Sequence, residues 1–454
     1  MTIRNLKHAN EKSGKIVDEE APLLRAEDGA NEFNGASFSG AVFNLSTTIV
    51  GAGIMSLPAA LKALGVIPGM AIIIIMAFLT EASIELLLRF SKAGRAASYG
   101  SLMGAAFGKY GKILLQVCVL VNNIGVLIVY MIIIGDVLSG TNSSGIHHAG
   151  LLEKWFGIQW WNGRTFVLLV ATLFVFAPLA SLKRIDSLRY TSALSVALAI
   201  IFIVITAGIT ITKLIGGEIS MPRFFPKAID FSSIQNLFTV VPIFVTAYIC
   251  HYNVHSIKNE LEDDTKIRAV IQTSLGLCSI VYLMTSLFGF LLFGEAILDD
   301  VLANFDEDLG IAFSSFLSDT VRVSYAAHLM LVFPVVFFPL RLSLDGLIFP
   351  SSRPLAMDNL RFGLISLGLL IVIFLGANFI PSIWVAFQFT GATAAVLIGF
   401  IFPAAITLRD CYGIASKKDK ILSIFMIALA VLSNALAIYS DVCALFVKKA
   451  ASIN

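Results

Sequence analysis

Polar and apolar positions alternate along this chain in whole segments rather than residue by residue. A polar stretch over 1–36 is followed by eleven apolar runs, near 38–64, 67–90, 112–138, 165–181, 188–215, 233–256, 268–293, 318–348, 360–380, 382–408 and 421–447. Each approaches or exceeds the roughly 17–25 residues that a helix needs to cross a bilayer. Short polar joints separate them, of which 98–107 and 259–267 are expected to form interfacial helices. The pattern predicts an all-α polytopic membrane protein with eleven transmembrane helices.

Two of the runs interrupt themselves. The first contains Asn44-Leu45-Ser46-Thr47-Thr48-Ile49-Val50-Gly51-Ala52-Gly53-Ile54-Met55-Ser56-Leu57-Pro58. Two glycines cost a helix about 1 kcal/mol each against alanine, and Pro58 removes a backbone donor one turn later. Inside a bilayer, freed N–H and C=O groups survive only where protein or a wet cavity satisfies them. A glycine pair for close helix packing is the competing explanation. The sixth run repeats the feature, with Pro242-Ile243-Phe244-Val245-Thr246-Ala247-Tyr248-Ile249-Cys250-His251-Tyr252-Asn253 at its middle. The breaks stand five runs apart, as in a five-plus-five inverted repeat with one broken helix opening each half, and broken helices of this kind build the midplane sites of secondary transporters. The expected division is therefore a polar tail over 1–36, repeat one over 38–215, repeat two over 233–408 and an extra helix over 421–447.

Composition sharpens this reading. The chain has 454 residues, 57% hydrophobic and 14% charged, with mean hydropathy +0.87, so no soluble segment is large enough for a separate enzyme. A net charge of +2, spread over loops, gives no footprint for nucleic acid. The lysines and arginines fix an orientation: 23 lie on one side against 8 on the other, with Arg322 inside a span, which places the N-terminus in the cytosol. On that topology Asn142-Ser143-Ser144 is an accessible glycosylation acceptor at Asn142. The tail carries Glu19-Glu20-Ala21-Pro22-Leu23-Leu24, an acidic-dileucine pattern for a sorting adaptor of endosomal, lysosomal or vacuolar membranes. The five cysteines lie in or beside apolar runs, so neither disulfide nor metal spacing is expected. No nucleophile–base pair, phosphate loop or cofactor motif is visible.

Several motifs together resemble a known family. Phe43 to Ile54 is similar to the first helix of the amino acid/auxin permease superfamily, and Cys250-His251-Tyr252-Asn253-Val254-His255-Ser256-Ile257-Lys258-Asn259-Glu260-Leu261 to its sixth-helix signature. Phe333-Pro334 to Pro339-Leu340-Arg341 resembles the end of its eighth helix, and Gly391-Ala392-Thr393 with Phe402-Pro403 its tenth. Within it, the chain looks like the plant vacuolar-type amino acid transporters related to system A and system N carriers, over roughly residues 36–447. The resemblance implies a LeuT-like fold and symport of neutral or acidic amino acids with a cation. Where sodium-coupled relatives carry an Asn in span one this chain has Thr47, and the hydroxyl positions of span eight fall on Met330 and Val332.

An amino acid offers a carboxylate, an ammonium and a side chain. Unwound N–H groups at Gly51, Ala52 and Gly53 suit the carboxylate, since half-helix N-termini favour anions. Carbonyls freed around Ile49 and Val50 and in span six suit the ammonium, with Thr48 and Ile54 beside them. Phe244, Thr246 and Tyr248 are candidates for the side-chain pocket. For the coupling ion the candidates are Thr47 and Ser324, which would serve sodium, and His251 and His328, which would carry a proton because imidazole titrates near neutrality. Proton coupling is the preferred expectation and sodium the alternative. Other charges read as structural: Glu81, Glu85 and Arg89 as a ladder at the end of span two, Arg341 and Asp345 likewise, Arg322 paired with Asp319, and Asp136 reaching water. The rival from another class is an amino acid sensor with little flux. The vacuolar membrane is the expected location, with export to the cytosol, ahead of endoplasmic reticulum or plasma membrane.

Overall fold

The computed structural model describes residues 35–451 apart from Ala52, 144–145, 227–230, 299, 307–308, 351–352 and 381–391. The dileucine at Leu23-Leu24, Ala52 and the start of the tenth run with Gly391 lie outside the described residues. Helices dominate the rest: α1 (Phe38–Ile49), α2 (Gly53–Leu64), α3 (Val66–Gly94), α4 (Tyr99–Ser139), α5 (Leu151–Phe156), α6 (Arg164–Ala180), α7 (Arg189–Ile215), α8 (Phe231–Tyr248), α9 (His251–Glu260), α10 (Ile267–Phe293), α11 (Ser314–Ile348), α12 (Asn359–Phe379), α13 (Thr393–Arg409) and α14 (Lys417–Ala451). Among the described residues eight helices are long and apolar enough to span a bilayer, and the α1–α2 pair, bent by 54°, makes a ninth. Ten of the eleven expected runs fall on described helix and the tenth does so only from Ala392 onward, while α6 and α13 are shorter apolar helices. Length alone therefore does not reach the count of eleven.

The one described sheet is a hairpin of Thr141–Ser143 and Ile146–His148, with Asn142 opposite His147. Segment 98–107 is helical from Tyr99, capped by Ser98, and is set apart from the rest of α4 by non-helical backbone at Gly108, where φ is +68° and ψ −166°. The expected helix over 259–267 is reduced to a 3-10 turn at Asp264–Lys266. The tail ends sooner than expected, because Ala36 forms a parallel bridge with Leu261, donating to Glu260 O at 2.7 Å and accepting from Glu262 at 3.1 Å. That contact ties the entry to α1 to the exit from α9.

At the centre α11 packs against α4 and α7, with Phe176 stacked on Phe333 at a centroid distance of 4.1 Å. Its two prolines shape the interior. Pro339 lacks the N–H that would bond Val335 O, and the freed carbonyl accepts from the Asn253 amide of α9 at 3.1 Å. Helix ends are met the same way. Buried Arg341 donates to Ala180 O at the C-terminus of α6 and to Leu182 O at 3.1 Å, with Ser366 at 3.2 Å and the Phe362 ring 4.0 Å below. A cation at a helix C-terminus complements the dipole there.

The charged pairs correct the expected local ladders, because side chains on packed helices reach partners on neighbours more easily than along their own axis. Arg89 pairs with Asp419, Glu85 with Arg268, and Glu81 accepts from Gln272. Asp345 pairs with Arg361 at 3.1 Å rather than with Arg341. Arg322 bonds Asp306 at 2.8 Å, while Asp319 takes Lys154 at 3.0 Å and the Trp155 indole at 3.2 Å. Asp136, partly exposed as expected, also pairs with Arg164.

Replacing Arg341 removes the donors that it gives to Ala180 O and Leu182 O. Arg341→Ala should cost about 3 kcal/mol, seen as a melting temperature several degrees lower for the purified protein. Arg341→Lys should recover only part, since an ammonium cannot reproduce the planar fork. A melting curve unchanged by the Ala substitution would remove Arg341 from the structural core.

Candidate functional site

The first run breaks after Ile49. Val50 turns to φ −78°, ψ 105° while its N–H still caps Ser46 O, and Ile54 N bonds Gly51 O at 3.2 Å as α2 begins. The sixth breaks after Tyr248, with Cys250 at φ −143°, ψ 0° before α9 opens at His251. The two breaks touch. A Cβ at Gly53 would sit 3.0 Å from the Ala247 Cα, and a Cβ at Gly51 would collide with the Tyr130 hydroxyl of α4. Glycine is needed at both positions for closeness of approach.

Tyrosines meet the unwound backbone. Tyr282 of α10 places its hydroxyl 2.7 Å from Ile49 O and 2.6 Å from Ala247 O, one carbonyl from each break. Tyr325 of α11 donates to Gly51 O at 3.4 Å. The expected ammonium-binding carbonyl of Ile49 is thus already engaged by protein. Sequence reasoning missed Tyr130, Tyr282 and Tyr325. Their signal was a polar tip within an apolar run, which needs a partner once buried, but nothing local says which backbone it meets.

The expected residues divide by position. Val50, Gly51, Gly53 and Ile54 form the first break, all buried except Gly53, which is partly so. Thr48 donates to Asn44 O at 2.9 Å and accepts from Asn253 at 3.0 Å, so Asn253 joins α1, α9 and α11. Phe244 is fully buried on α8, Thr246 partly exposed, and Tyr248 bonds Ser279 at 2.9 Å and meets Tyr282 edge-on. Thr47 turns away to Ser192 O at 3.1 Å. Ser324 bonds Val321 O within its own helix at 2.9 Å. Neither hydroxyl is directed to the break by these bonds.

The two histidines differ. His251 Nε2 bonds Ser83 of α3 at 3.1 Å, and Ser83 in turn donates to Gly399 O in α13. It therefore braces α9 against two other helices. Buried His328 engages Ser195 of α7 through Nδ1, 2.8 Å from the carbonyl and 2.9 Å from the hydroxyl, and its ring stacks on Tyr325. Its Nε2 has no hydrogen-bond partner among the described residues, and a bare Nε2 presents a lone pair that a proton would occupy. The arrangement offers carbonyls and neutral donors around a backbone gap, and among the described residues no cluster of three acidic, histidine or cysteine side chains could hold a metal.

The contact between Gly51 and Tyr130 gives a test independent of function. Gly51→Ala should lower the melting temperature, and adding Tyr130→Phe, which removes the colliding oxygen, should restore part of the loss. Additive effects of the two substitutions would show that they do not meet.

Comparison with known proteins places this geometry in context. The family description "Transmembrane amino acid transporter protein" matches residues 34–445. The chain is 67% identical over 439 residues to amino acid transporter AVT6B of Arabidopsis thaliana, covering 95% of this chain and 96% of that protein. It is 68% identical over 434 residues to AVT6A of the same plant, covering 95% and 94%. Among solved structures it is similar to MhsT in complex with L-phenylalanine, with TM-score 0.58 and 14% identity over 88% of this chain and 98% of that one. A Na+-coupled sialic acid symporter gives TM-score 0.57 and 12% identity over 92% of each chain. These two likenesses concern the fold, which is of the LeuT type.

Proposed function

This chain belongs to the transmembrane amino acid transporter family, and we propose that it is a proton-coupled symporter of neutral or acidic amino acids. It is a multi-pass membrane protein and a carrier rather than an enzyme; the coupling ion, the substrate class, the membrane and the direction of flux are our reading. The observation that carries it is His328, buried with Nε2 unpartnered among the described residues and its ring stacked on Tyr325, whose hydroxyl meets Gly51 O at the first break. On this reading a protonated His328 donates from both nitrogens, to Ser195 O and toward the carbonyls freed at the first break, and so braces the break against α7. Loss of the proton withdraws the second bond and frees the break to move.

The substrate carboxylate goes to N–H groups at Gly51 and Gly53, where α2 begins, with Ala52 between them in sequence. Its ammonium goes to carbonyls freed around Val50 and in span six, and its side chain toward Phe244, Thr246 and Tyr248. Alternating access then requires the ties from Asn253 to Thr48 and to Val335 O to change together, because one amide holds α9 to both α1 and α11. The acidic-dileucine pattern in the tail supports a vacuolar membrane, and the lysine and arginine distribution a cytosolic N-terminus. In an acidic lumen each pH unit supplies about 1.4 kcal/mol per proton, enough for roughly tenfold accumulation. Flux would run from vacuole to cytosol.

Uptake of labelled amino acids into liposomes holding the purified protein tests this reading, with pH and sodium gradients imposed separately. Accumulation should follow the pH gradient and ignore sodium. His328→Asn should keep exchange of substrate across the membrane but lose about tenfold or more of the uphill accumulation that one pH unit supports. Accumulation that requires sodium would overturn proton coupling, and binding without flux under either gradient would make the chain a sensor.

A further inference from the structure

Two half-helices end on one buried point. α1 ends at Ile49 and α8 at Tyr248, and each C-terminus carries the negative end of a helix dipole, roughly half an elementary charge. The Ile49 and Ala247 carbonyls converge on a single atom, the Tyr282 hydroxyl oxygen, at 2.7 and 2.6 Å. A phenol has one proton to give, so two carbonyls share one donor. Convergent carbonyls at two helix C-termini in a buried place favour a positive charge, and unwound carbonyls with half-helix C-termini are the groups that coordinate cations in carriers with broken helices. Here a neutral side chain fills the point.

Its neighbours fix it there. Tyr282 is fully buried, and its ring meets Tyr248 edge-on at a centroid distance of 5.1 Å and 82°. The Tyr248 hydroxyl bonds Ser279, one turn before Tyr282 on α10, at 2.9 Å, and Ser279 donates on to Leu275 O at 2.7 Å. Because the Ser279 proton is spent on Leu275 O, Tyr248 is the donor to Ser279. The end of α8 and the face of α10 are therefore locked together, and the Tyr282 hydroxyl is held between the two carbonyls.

We propose that the Tyr282 hydroxyl takes the place of a coupling cation between the Ile49 and Ala247 carbonyls, tying both helix breaks to α10 and freeing the carrier from any need for a monovalent metal ion at this point. The proposal rests on the reading of the two breaks as the transport site. Tyr282 is a positioning residue: it acts through the backbone of the breaks. Removing its oxygen leaves two carbonyls facing a small gap with no donor, which a sodium or lithium ion can then enter.

The experiment compares purified full-length wild type, Tyr282→Phe and Tyr282→Asn in lipid nanodiscs. Thermal melting is followed in choline, sodium and lithium chloride at equal ionic strength. Wild type should melt alike in all three. Both variants should melt lower than wild type in choline and recover by about 2 °C or more in sodium or lithium, the Asn variant more strongly because it adds an oxygen ligand. A merely structural tyrosine gives variants weakened equally in every salt. Variants that respond to sodium no more than wild type, or that cannot be obtained folded in any of the salts, would overturn the proposal. So would a wild type stabilised by sodium as much as they are. The carrier reading fails separately: a wild type that neither binds nor moves amino acids leaves the salt comparison intact.

Discussion

Backbone polar groups released inside an apolar medium must find partners, and most of the interior follows from that constraint. An unsatisfied amide in hydrocarbon costs several kcal/mol, so a helix can be opened at mid-length only if its surroundings supply donors and acceptors. Both openings in this chain obey the rule. Ile49 O and Ala247 O take the Tyr282 hydroxyl, Gly51 O takes Tyr325, and Val335 O, orphaned by Pro339, takes Asn253. Tyrosine and asparagine suit this duty because they donate without bringing a charge that itself would need desolvation.

The same bonds distribute the two breaks over the rest of the molecule. Asn253 belongs to α9 yet holds the Thr48 hydroxyl of α1 and the Val335 carbonyl of α11. Tyr282 belongs to α10 yet holds the ends of α1 and α8. Neither break can shift without altering bonds made by helices that are themselves continuous. Displacing a few side-chain hydrogen bonds, each worth about 1 kcal/mol net, is a scale of rearrangement that a bound ligand can drive.

How much of this was legible in the sequence depends on range. The first break was visible because glycine acts locally, at Gly51 and Gly53, whereas Pro58 and Pro242 lie inside α2 and α8 and the second break falls later, at Ile249 and Cys250. The eleven runs were visible because hydropathy is a sum over one segment. Pairing was another matter. Glu85 was read with Arg89 on one helix face but bonds Arg268, and Arg322 was read with Asp319 but bonds Asp306. In each case spacing along one helix named a plausible partner, while packing brought a different charge closer. The three tyrosines at the first break went unread for the same reason, because each lies on a different helix from the backbone it meets. His251 and His328 looked equivalent in sequence, and only their neighbours separate a brace between helices from a group turned toward the break.

That separation bears on what the break can sense. Two protein groups stand where positive charge would be favoured: the His328 ring, stacked on Tyr325 beside the first break, and the Tyr282 phenol at Ile49 O. Of the two side-chain types only imidazole changes charge between pH 5 and 8. A phenol keeps its proton throughout that range, so its bond is insensitive to a physiological gradient. On the proposed reading the phenol is then a constant tie and the imidazole a conditional one. A break held by both would answer to pH through a single group, and the coupling would be one proton per movement of the break.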